Sequence, residues 1–373
     1  MKKGKVFFHK IVICGGHLTP ALALIEALEK KGYQIIFFGR KIATDGSDNL
    51  SAEFREISKR GIPFIDIVSG RLTRKFTKYT VSSLLKIPFG FLLSLFYLAK
   101  YRPSLVVSFG GYLSTPVVFG AWLLGIDSIT HEQAVVPGFA NRINSLFVKK
   151  IFLTWPESQN YFPRGKRQVI GNPQPFSRST KIPGDKKIRA FLAKKGDLIL
   201  ITGGSQGSHV INSLIFDNVD LFDKFLVFHQ TGTANWRGDH AQAAKIKRAN
   251  YLAVDYVSPR DIGALLTRSK LIISRSGANT VWDLAALAKP AILIPLPISA
   301  SGEQMANALV LKNAQSAVIV TQKALSRQTL KDAIDKMLKN YPLFLRSAGT
   351  LQKTLPQNSA EKLIQYITST LNP

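Results

Sequence analysis

Glycine-rich loops recur where an apolar run gives way to a helical pattern: CGGH at 14–17, SFGGY at 108–112, TGGSQGS at 202–208 and SRSGANT at 274–280. Glycine lets backbone N–H groups approach an anion, and a helix N-terminus adds positive potential, so such loops suit phosphate. One alone carries little weight, because most tight strand-to-helix turns need glycine. Four, spread over two halves of the chain, suggest a cleft lined from both sides at the carboxyl ends of parallel strands. The first loop also carries His17, a titratable imidazole where a nucleotide-binding loop normally has small residues. With an ordinary pKa near ~6.5 it can take up a proton at neutral pH; it can equally brace the turn. Glu132, in HEQ, is the rival base, or a carboxylate that holds a backbone turn.

Several chemistries lack their signatures. No G-x-G-x-x-G follows a strand, and no G-x-x-x-x-G-K-[ST] occurs. The histidines are scattered, with no H-E-x-x-H, and no Asp-x-Asp is present to hold a nucleotide-bound metal. Neither a metal nor a cofactor is expected. The charge of a diphosphate then falls to loop amides, helix ends and hydroxyls.

These loops need elements to position them. The 373 residues suit two domains, and 46% hydrophobic content is enough for real cores. KIVIC, QIIFF, LVVSF and SITH read as strands in the first half; LILIT, FLVFH, LIISR, AILIP and AVIVT do so in the second. ALALIEALEKK, VINSLIF, TVWDLAALA and QMANALVLKNA fit helices between them. This alternation predicts an α/β fold with parallel sheets covered on both faces. Thr19 is the predicted cap of the first helix, Pro20 its first residue and Gly32 its stop. DLILITGGSQGSHVINSLI repeats the opening strand–loop–helix unit, so two similar domains are expected, joined within the Pro- and Gly-rich stretch 171–187. The boundaries read as 1–172, 173–352 and a tail helix in 353–373, whose Leu363, Ile364, Ile367 and Leu371 share a face that must pack.

Lys and Arg number 50 against 23 Asp and Glu, a net charge of +27. That excess implies a polyanionic partner: nucleic acid, anionic membrane or phosphorylated substrate. Cys14 is the only cysteine, which suits a reducing compartment. The basic, then apolar N-terminus reads as a first core strand rather than an export signal. Residues 81–99 approach membrane-spanning length, but Lys86 and Pro88 interrupt them, so an amphipathic or interfacial helix is predicted.

The ordered set SFGGYLSTPVVFGAWLLGI, THEQAVVPGFANRI, GGSQGSHVIN and SRSGANTVWDLAALAKPAILIPLPISASGEQMANA resembles the MurG family over roughly 11–320. The resemblance implies the GT-B architecture, two Rossmann-like domains facing a cleft. It implies an inverting transfer of N-acetylglucosamine from its UDP donor to the C4 hydroxyl of muramyl-pentapeptide diphosphoryl-undecaprenol, at the cytoplasmic face of the membrane. It assigns His17 or Glu132 as base. It places the donor on Cys14, Gly15, Gly16, Ser205, Gln206, Val257, Ala278, Asn279, Thr280, Asp283 and Gln304. Ser205 would meet the diphosphate from a helix N-terminus. Asp283 stands for a glutamate that binds the ribose hydroxyls, Gln304 for the glutamine that reads the sugar, and the Val257 backbone for the edge that pairs with uracil. Tyr112, Ser114 and Asn212 fall to the acceptor. The tail helix would pack back on the N-terminal domain.

The chain departs from the family's pattern in its shortened first loop, in Ala134 for an asparagine, in Pro175 for an arginine, with Arg178 nearby, and in Glu303 for a histidine. Residues 71–102 carry seven basic residues and no acidic one among apolar groups. Arg71, Arg74, Lys75 and Lys78 would meet anionic headgroups of the inner membrane surface, each adding about 1 kcal/mol. The charge then requires no nucleic acid. The rivals are a membrane glycosyltransferase with another lipid acceptor, of diacylglycerol type, and a non-catalytic polyanion-binding protein that retains the fold.

Overall fold

Apolar runs rich in β-branched residues and bounded by turns form strands buried on both faces. In a computed structural model, residues 9–42, 50–70, 80–174, 183–259, 261–299 and 302–372 are described, with backbone only at 80–85. The chain divides into two compact units, Met1–Pro175 with Pro356–Pro373, and Phe176–Leu355.

The first unit holds seven parallel strands: β1 (Lys10–Cys14), β2 (Gln34–Gly39), β3 (Phe64–Asp66), β4 (Leu105–Ser108), β5 (Ser128–Glu132), β6 (Lys150–Leu153) and β7 (Arg167–Val169). Their order is β3-β2-β1-β4-β5-β6-β7. Its helices are α1 (Leu18–Lys30), α2 (Ala52–Lys59), α3 (Thr80–Tyr101), α4 (Ser114–Leu123) and α5 (Phe139–Phe147). The second unit has α6 (Lys186–Leu192), β8 (Leu198–Thr202), α7 (His209–Asp217), β9 (Leu226–Gln230), α8 (Asp239–Lys245), β10 (Tyr251–Val254), α9 (Ile262–Arg268) and β11 (Leu271–Ser274). It continues with α10 (Ala278–Ala286), β12 (Ala291–Leu293), α11 (Glu303–Asn313), β13 (Ala317–Ile319), α12 (Arg327–Lys339) and α13 (Tyr341–Thr354). Its strand order is β10-β9-β8-β11-β12-β13, again all parallel. In each sheet the order reverses beside the first strand, between β1 and β4 and between β8 and β11. A crevice opens at the carboxyl ends there, because the flanking loops diverge to opposite faces.

Two local readings change. Thr19 does not cap α1: the N-cap is His17, and Pro20 is the helix's third residue. Gly32 does end it, at φ 79° with its N–H donating to the Glu29 carbonyl. The strands β3, β7 and β10 at sheet edges, and β6 just inside β7, are ones that the apolar runs did not reveal. The last helix, α14 (Ser359–Leu371), returns to the first unit after the chain has completed the second. Its Leu363, Ile364 and Ile367 enter the same core as Leu24 and Leu28 of α1, and Tyr366 lies edge-on to Phe152 at 5.2 Å. Among the described residues no helix is long and apolar enough to cross a membrane.

Ile367 is fully buried in this seam. Ile367→Ala should destabilise the first unit by about 2–5 kcal/mol, read as an earlier chemical-unfolding transition for that unit. An unchanged transition would show that α14 adds little to the fold.

Candidate active site

In the first unit the glycine loops after β1 and β4 are bonded together across the point where strand order reverses. Phe109 N–H donates to the Cys14 carbonyl at 2.8 Å, and Gly16 N–H to the Gly110 carbonyl at 3.0 Å. Gly15 has φ 127°, and a Cβ on it would lie 2.7 Å from the Gly110 oxygen, so this approach requires glycine. The Cys14 thiol faces the core, and burial pushes its pKa up to about 12. The Cys14 side chain therefore belongs to the core, and only its backbone lies in the loop. Gly16 is exposed and Gly15 buried.

His17 occupies the N-cap of α1, but its side chain caps nothing. The ring is half-buried, yet enough protein surrounds it that desolvation lowers its pKa to about 4. It is therefore neutral at physiological pH, with a lone pair available. His131 is a second neutral imidazole. Burial first, opposed by its bond to Gly171 and aided by the neighbouring His17, holds its pKa at about 4. Its Nε2–H donates to the Gly171 carbonyl at 2.9 Å, and Gln133 Nε2 donates to its Nδ1 at 3.0 Å.

The rival base lies at the end of β5. Glu132 is buried; one carboxylate oxygen accepts from Ala134 N–H and the other from Asn141 Nδ2, each at 2.9 Å. That geometry holds a turn. Ser114 is fully buried: its hydroxyl donates to the Gly111 carbonyl at 2.8 Å and accepts from Asn144 Nδ2 at 2.8 Å. Ser114, expected at the acceptor, is placed as a brace under the SFGGY loop. Tyr112 is half-buried, and its hydroxyl accepts from Arg40 Nη1 at 2.9 Å.

In the second unit the GGSQGS loop leaves β8 and pairs with the segment after β9. Thr233 N–H donates to the Ser205 carbonyl at 3.0 Å, and Ala234 N–H to that of Gln206 at 3.3 Å. Gly207, at φ 83°, permits this pairing; a Cβ there would lie 2.0 Å from the Thr231 oxygen. The Ser205 and Gln206 side chains are exposed on the loop. Ser205 is not at the helix N-terminus as expected, because α7 starts at His209 with Ser208 as N-cap.

Asn212 is fully buried and saturated. It donates to the Thr231 carbonyl at 2.8 Å and to Asp239 at 2.7 Å, and it accepts from His229 Nε2 at 3.0 Å. Asp239 in turn bonds His209 Nδ1 at 2.7 Å. Asn212, expected at the acceptor, braces the loop from behind in this arrangement.

The α10 N-terminus opens after Gly277 with no side-chain cap, leaving the first-turn amides of Ala278, Asn279 and Thr280 facing outward from the helix. Ala278 is buried, and Asn279 and Thr280 are half-buried. One turn on, the Asp283 carboxylate bonds no group among the described residues, and desolvation raises its pKa to about 7. Gln304 Oε1 accepts from Leu296 N–H at 3.0 Å, which fixes the amide and leaves Nε2 to donate. Ser276 Oγ donates to the Gln304 carbonyl at 2.7 Å, tying the start of α11 to the SRSGANT loop. Glu303 begins α11; burial raises its pKa, with Asn307 opposing. Val257 is buried after β10, and no hydrogen bond reaches its backbone among the described residues. Arg71, Arg74, Lys75, Lys78, Pro175 and Arg178 lie outside the described residues. Among those described, no group of three or more His, Cys, Asp and Glu is placed to hold a metal ion.

The sequence reading passed over Arg275, although it lies inside a quoted motif. It is buried and bonds Ser208, Gln322 and the β12 exit. A charged residue between two serines and a glycine loop was the available signal.

Asp283 yields a stability prediction. An ordinary aspartate pKa is about 3.9, and the folded value is about 7. The folded protein therefore holds an extra proton between these values, and stability falls as pH rises from about 4 to 7. Asp283→Asn should raise Tm at pH 8 by about 3 °C or more and leave it unchanged near pH 4. Equal Tm values at both pH values would contradict the desolvated carboxyl.

Comparison with known proteins follows this geometry. Residues 14–153 match the glycosyltransferase family 28 N-terminal domain, and 198–364 match its C-terminal domain. The UDP-N-acetylglucosamine--N-acetylmuramyl-(pentapeptide) pyrophosphoryl-undecaprenol N-acetylglucosamine transferase of Clostridium tetani is 30% identical, over 96% of this chain and 97% of its own. The protein of the same name from Treponema denticola is 35% identical, over 82% of this chain and 81% of its own. Among solved structures, Acinetobacter baumannii MurG aligns with TM-score 0.67 and 25% identity, over 97% of this chain and 99% of that one. The Streptomyces glycosyltransferase SsfS6 shares the fold at TM-score 0.65 and 14% identity, over 96% of this chain and 99% of that one. Both units thus have the Rossmann-like form of GT-B enzymes, and the chain belongs to the MurG family, within glycosyltransferase family 28.

Proposed function

We propose that this protein transfers N-acetylglucosamine from UDP-N-acetylglucosamine to the C4 hydroxyl of muramyl-pentapeptide diphosphoryl-undecaprenol, with inversion. The names of its relatives support the reaction. The observation that carries the donor reading is Asp283, a desolvated carboxylate without a partner among the described residues. It stands where the family binds ribose hydroxyls, and a carboxylate can accept two hydrogen bonds from a cis-diol. Gln304 Nε2 donates to the sugar, the Val257 backbone pairs with the base, and Ser205, Gln206 and the N-terminal turn of α10 meet the nucleotide.

His17 is the base in this scheme. Its neutral imidazole takes the proton of the acceptor hydroxyl as that oxygen attacks C1 of the sugar and UDP leaves. A pKa near 4 makes the free ring a weak base; the negative charge of bound diphosphate groups raises its hold on the proton. Glu132 positions the loop beside it, and Tyr112 faces the acceptor.

The same unit supports a role at a membrane surface. Phe89, Leu92 and Phe96 of α3 form one stripe, each more than half exposed. Trp122, Leu123 and Leu124 at the end of α4 and Phe139 and Leu146 on α5 extend the exposed apolar surface. Trp122 stacks on Phe119, which also packs against Phe91 and Phe147. Lys166 Nζ donates to the Leu146 carbonyl at 3.2 Å, placing a cation beside this surface. Rings and aliphatic groups entering the headgroup region, with cations at the rim, suit peripheral attachment at the cytoplasmic face. The family's lipid acceptor is found there.

The deciding assay is transfer of labelled N-acetylglucosamine to the muramyl-pentapeptide lipid. Wild type should transfer; His17→Ala should lose about 10²–10⁴-fold in kcat with donor affinity kept. No transfer where a verified relative works would sink the proposal. Replacing Phe89, Leu92 and Phe96 together by Ser should abolish sedimentation with anionic phosphatidylglycerol vesicles while preserving donor binding. Retained sedimentation would place the membrane surface elsewhere.

A further inference from the structure

Arg275 is a buried cation with no counter-ion among the described residues. It is 8% exposed, and burial lowers its pKa. All its N–H groups go to neutral acceptors. Nε donates to Ser208 Oγ at 3.1 Å, and Nη2 donates to the same oxygen at 2.8 Å and to Gln322 Oε1 at 2.7 Å. Nη1 donates to the carbonyls of Ile294 at 3.0 Å and Pro295 at 3.3 Å. Among the described residues no carboxylate lies within ion-pair distance. Asp239, on the neighbouring helix, is already engaged by His209 and Asn212. A buried charge is expensive unless something of opposite sign answers it.

The effect on Ser208 indicates where that answer comes from. Two guanidinium N–H groups occupy both lone pairs of its hydroxyl. Ser208 therefore cannot cap α7, although it holds the N-cap position, and no side-chain cap bond forms. The first-turn amides of α7 stay open. The hydroxyl's own proton must point away from Arg275, and it finds no acceptor among the described residues, although the serine is only 7% exposed. A buried cation, a spare buried O–H and an uncapped helix N-terminus thus converge at the GGSQGS loop, at the carboxyl end of β8.

We propose that Arg275 and Ser208 act as one unit on the donor's diphosphate. Ser208 donates its hydroxyl proton to a phosphate oxygen. Arg275 is the positioning residue: it turns that proton outward, withholds the serine from its own helix and supplies the fixed positive charge behind it. The pair is distinct from Ser205 in the same loop. It also places a cation near the diphosphate in a chain where Pro175 replaces the family's arginine. The inference rests on the reading of this unit as a UDP-sugar site.

The test is calorimetric titration of the full chain with UDP and with uridine, which differ only in the diphosphate. Wild type should prefer UDP. Arg275→Met and Ser208→Ala should each weaken UDP by about 10–100-fold, the scale of a hydrogen bond to a charged group, and leave uridine nearly unchanged. Arg275→Lys should restore part of the preference. The double variant should be no worse than the weaker single one, since the two residues form one unit. Equal losses for UDP and uridine would mean that Arg275 is merely structural, and additive losses would mean that the two act separately; either overturns the proposal. If Arg275→Met does not fold, Ser208→Ala gives the same readout. A wild type without preference for UDP would overturn the donor reading itself, whereas preference retained in both variants overturns only the Arg275–Ser208 unit.

Discussion

Polar side chains crowd the carboxyl ends of both sheets, and most of them are buried. An unmade hydrogen bond there costs about 1–3 kcal/mol, so each donor and acceptor must find protein, water or ligand. This constraint divides the glycine loops into scaffold and site. Glu132, Ser114 and Asn212 are buried and bonded on both sides, and they hold turns. Asp283, the Nε2 of Gln304, the Val257 backbone and the Ser208 proton have no partner among the described residues. The second group is what a ligand can address. Residues of the same chemical type, such as Ser114 and Ser208, fall on opposite sides of the division because of what surrounds them.

The sequence made the larger architecture legible. Continuous runs such as KIVIC and LILIT are long and apolar enough to reveal buried parallel strands, and glycine marks each strand exit at the reversal points. The repeated strand–loop–helix unit revealed two sheets. Short edge strands such as Arg167–Val169 were not legible, because a three-residue segment with polar ends has no periodicity to read. Site roles were less legible still. A motif gives the type of a residue but not the occupancy of its lone pairs, and Asn212 looked like a ligand contact until its three partners were placed. His17 was visible as an oddity, but not as the N-cap of α1, because Thr19 offered a more usual capping side chain.

The departures from the family's pattern are graded by the same reasoning. Ala134 gives Glu132 a backbone N–H, which any residue could supply, so the turn survives loss of the asparagine side chain. What disappears is one amide that a substrate could have used. Asp283 is a methylene shorter than glutamate, yet it remains desolvated and without a partner among the described residues. The change therefore alters reach more than chemistry. Glu303, in place of histidine, suits the first residue of a helix, where the dipole favours an acid.

The last constraint concerns charge within the second unit. Arg275 is buried and Asp283 is half-buried with its pKa raised to about 7; the two follow the same strand, yet they do not pair with each other. A fold shaped only for stability would join them or replace both with apolar groups, since uncompensated burial costs free energy in each case. Keeping them apart makes sense when a single ligand answers both. A nucleoside diphosphate has that form: its phosphates carry the negative charge that an arginine lacks, and its ribose presents the adjacent hydroxyls that a carboxylate can accept. On the donor site proposed above, the two groups lie apart along the loop and helix after β11, as phosphate and diol lie apart in such a ligand.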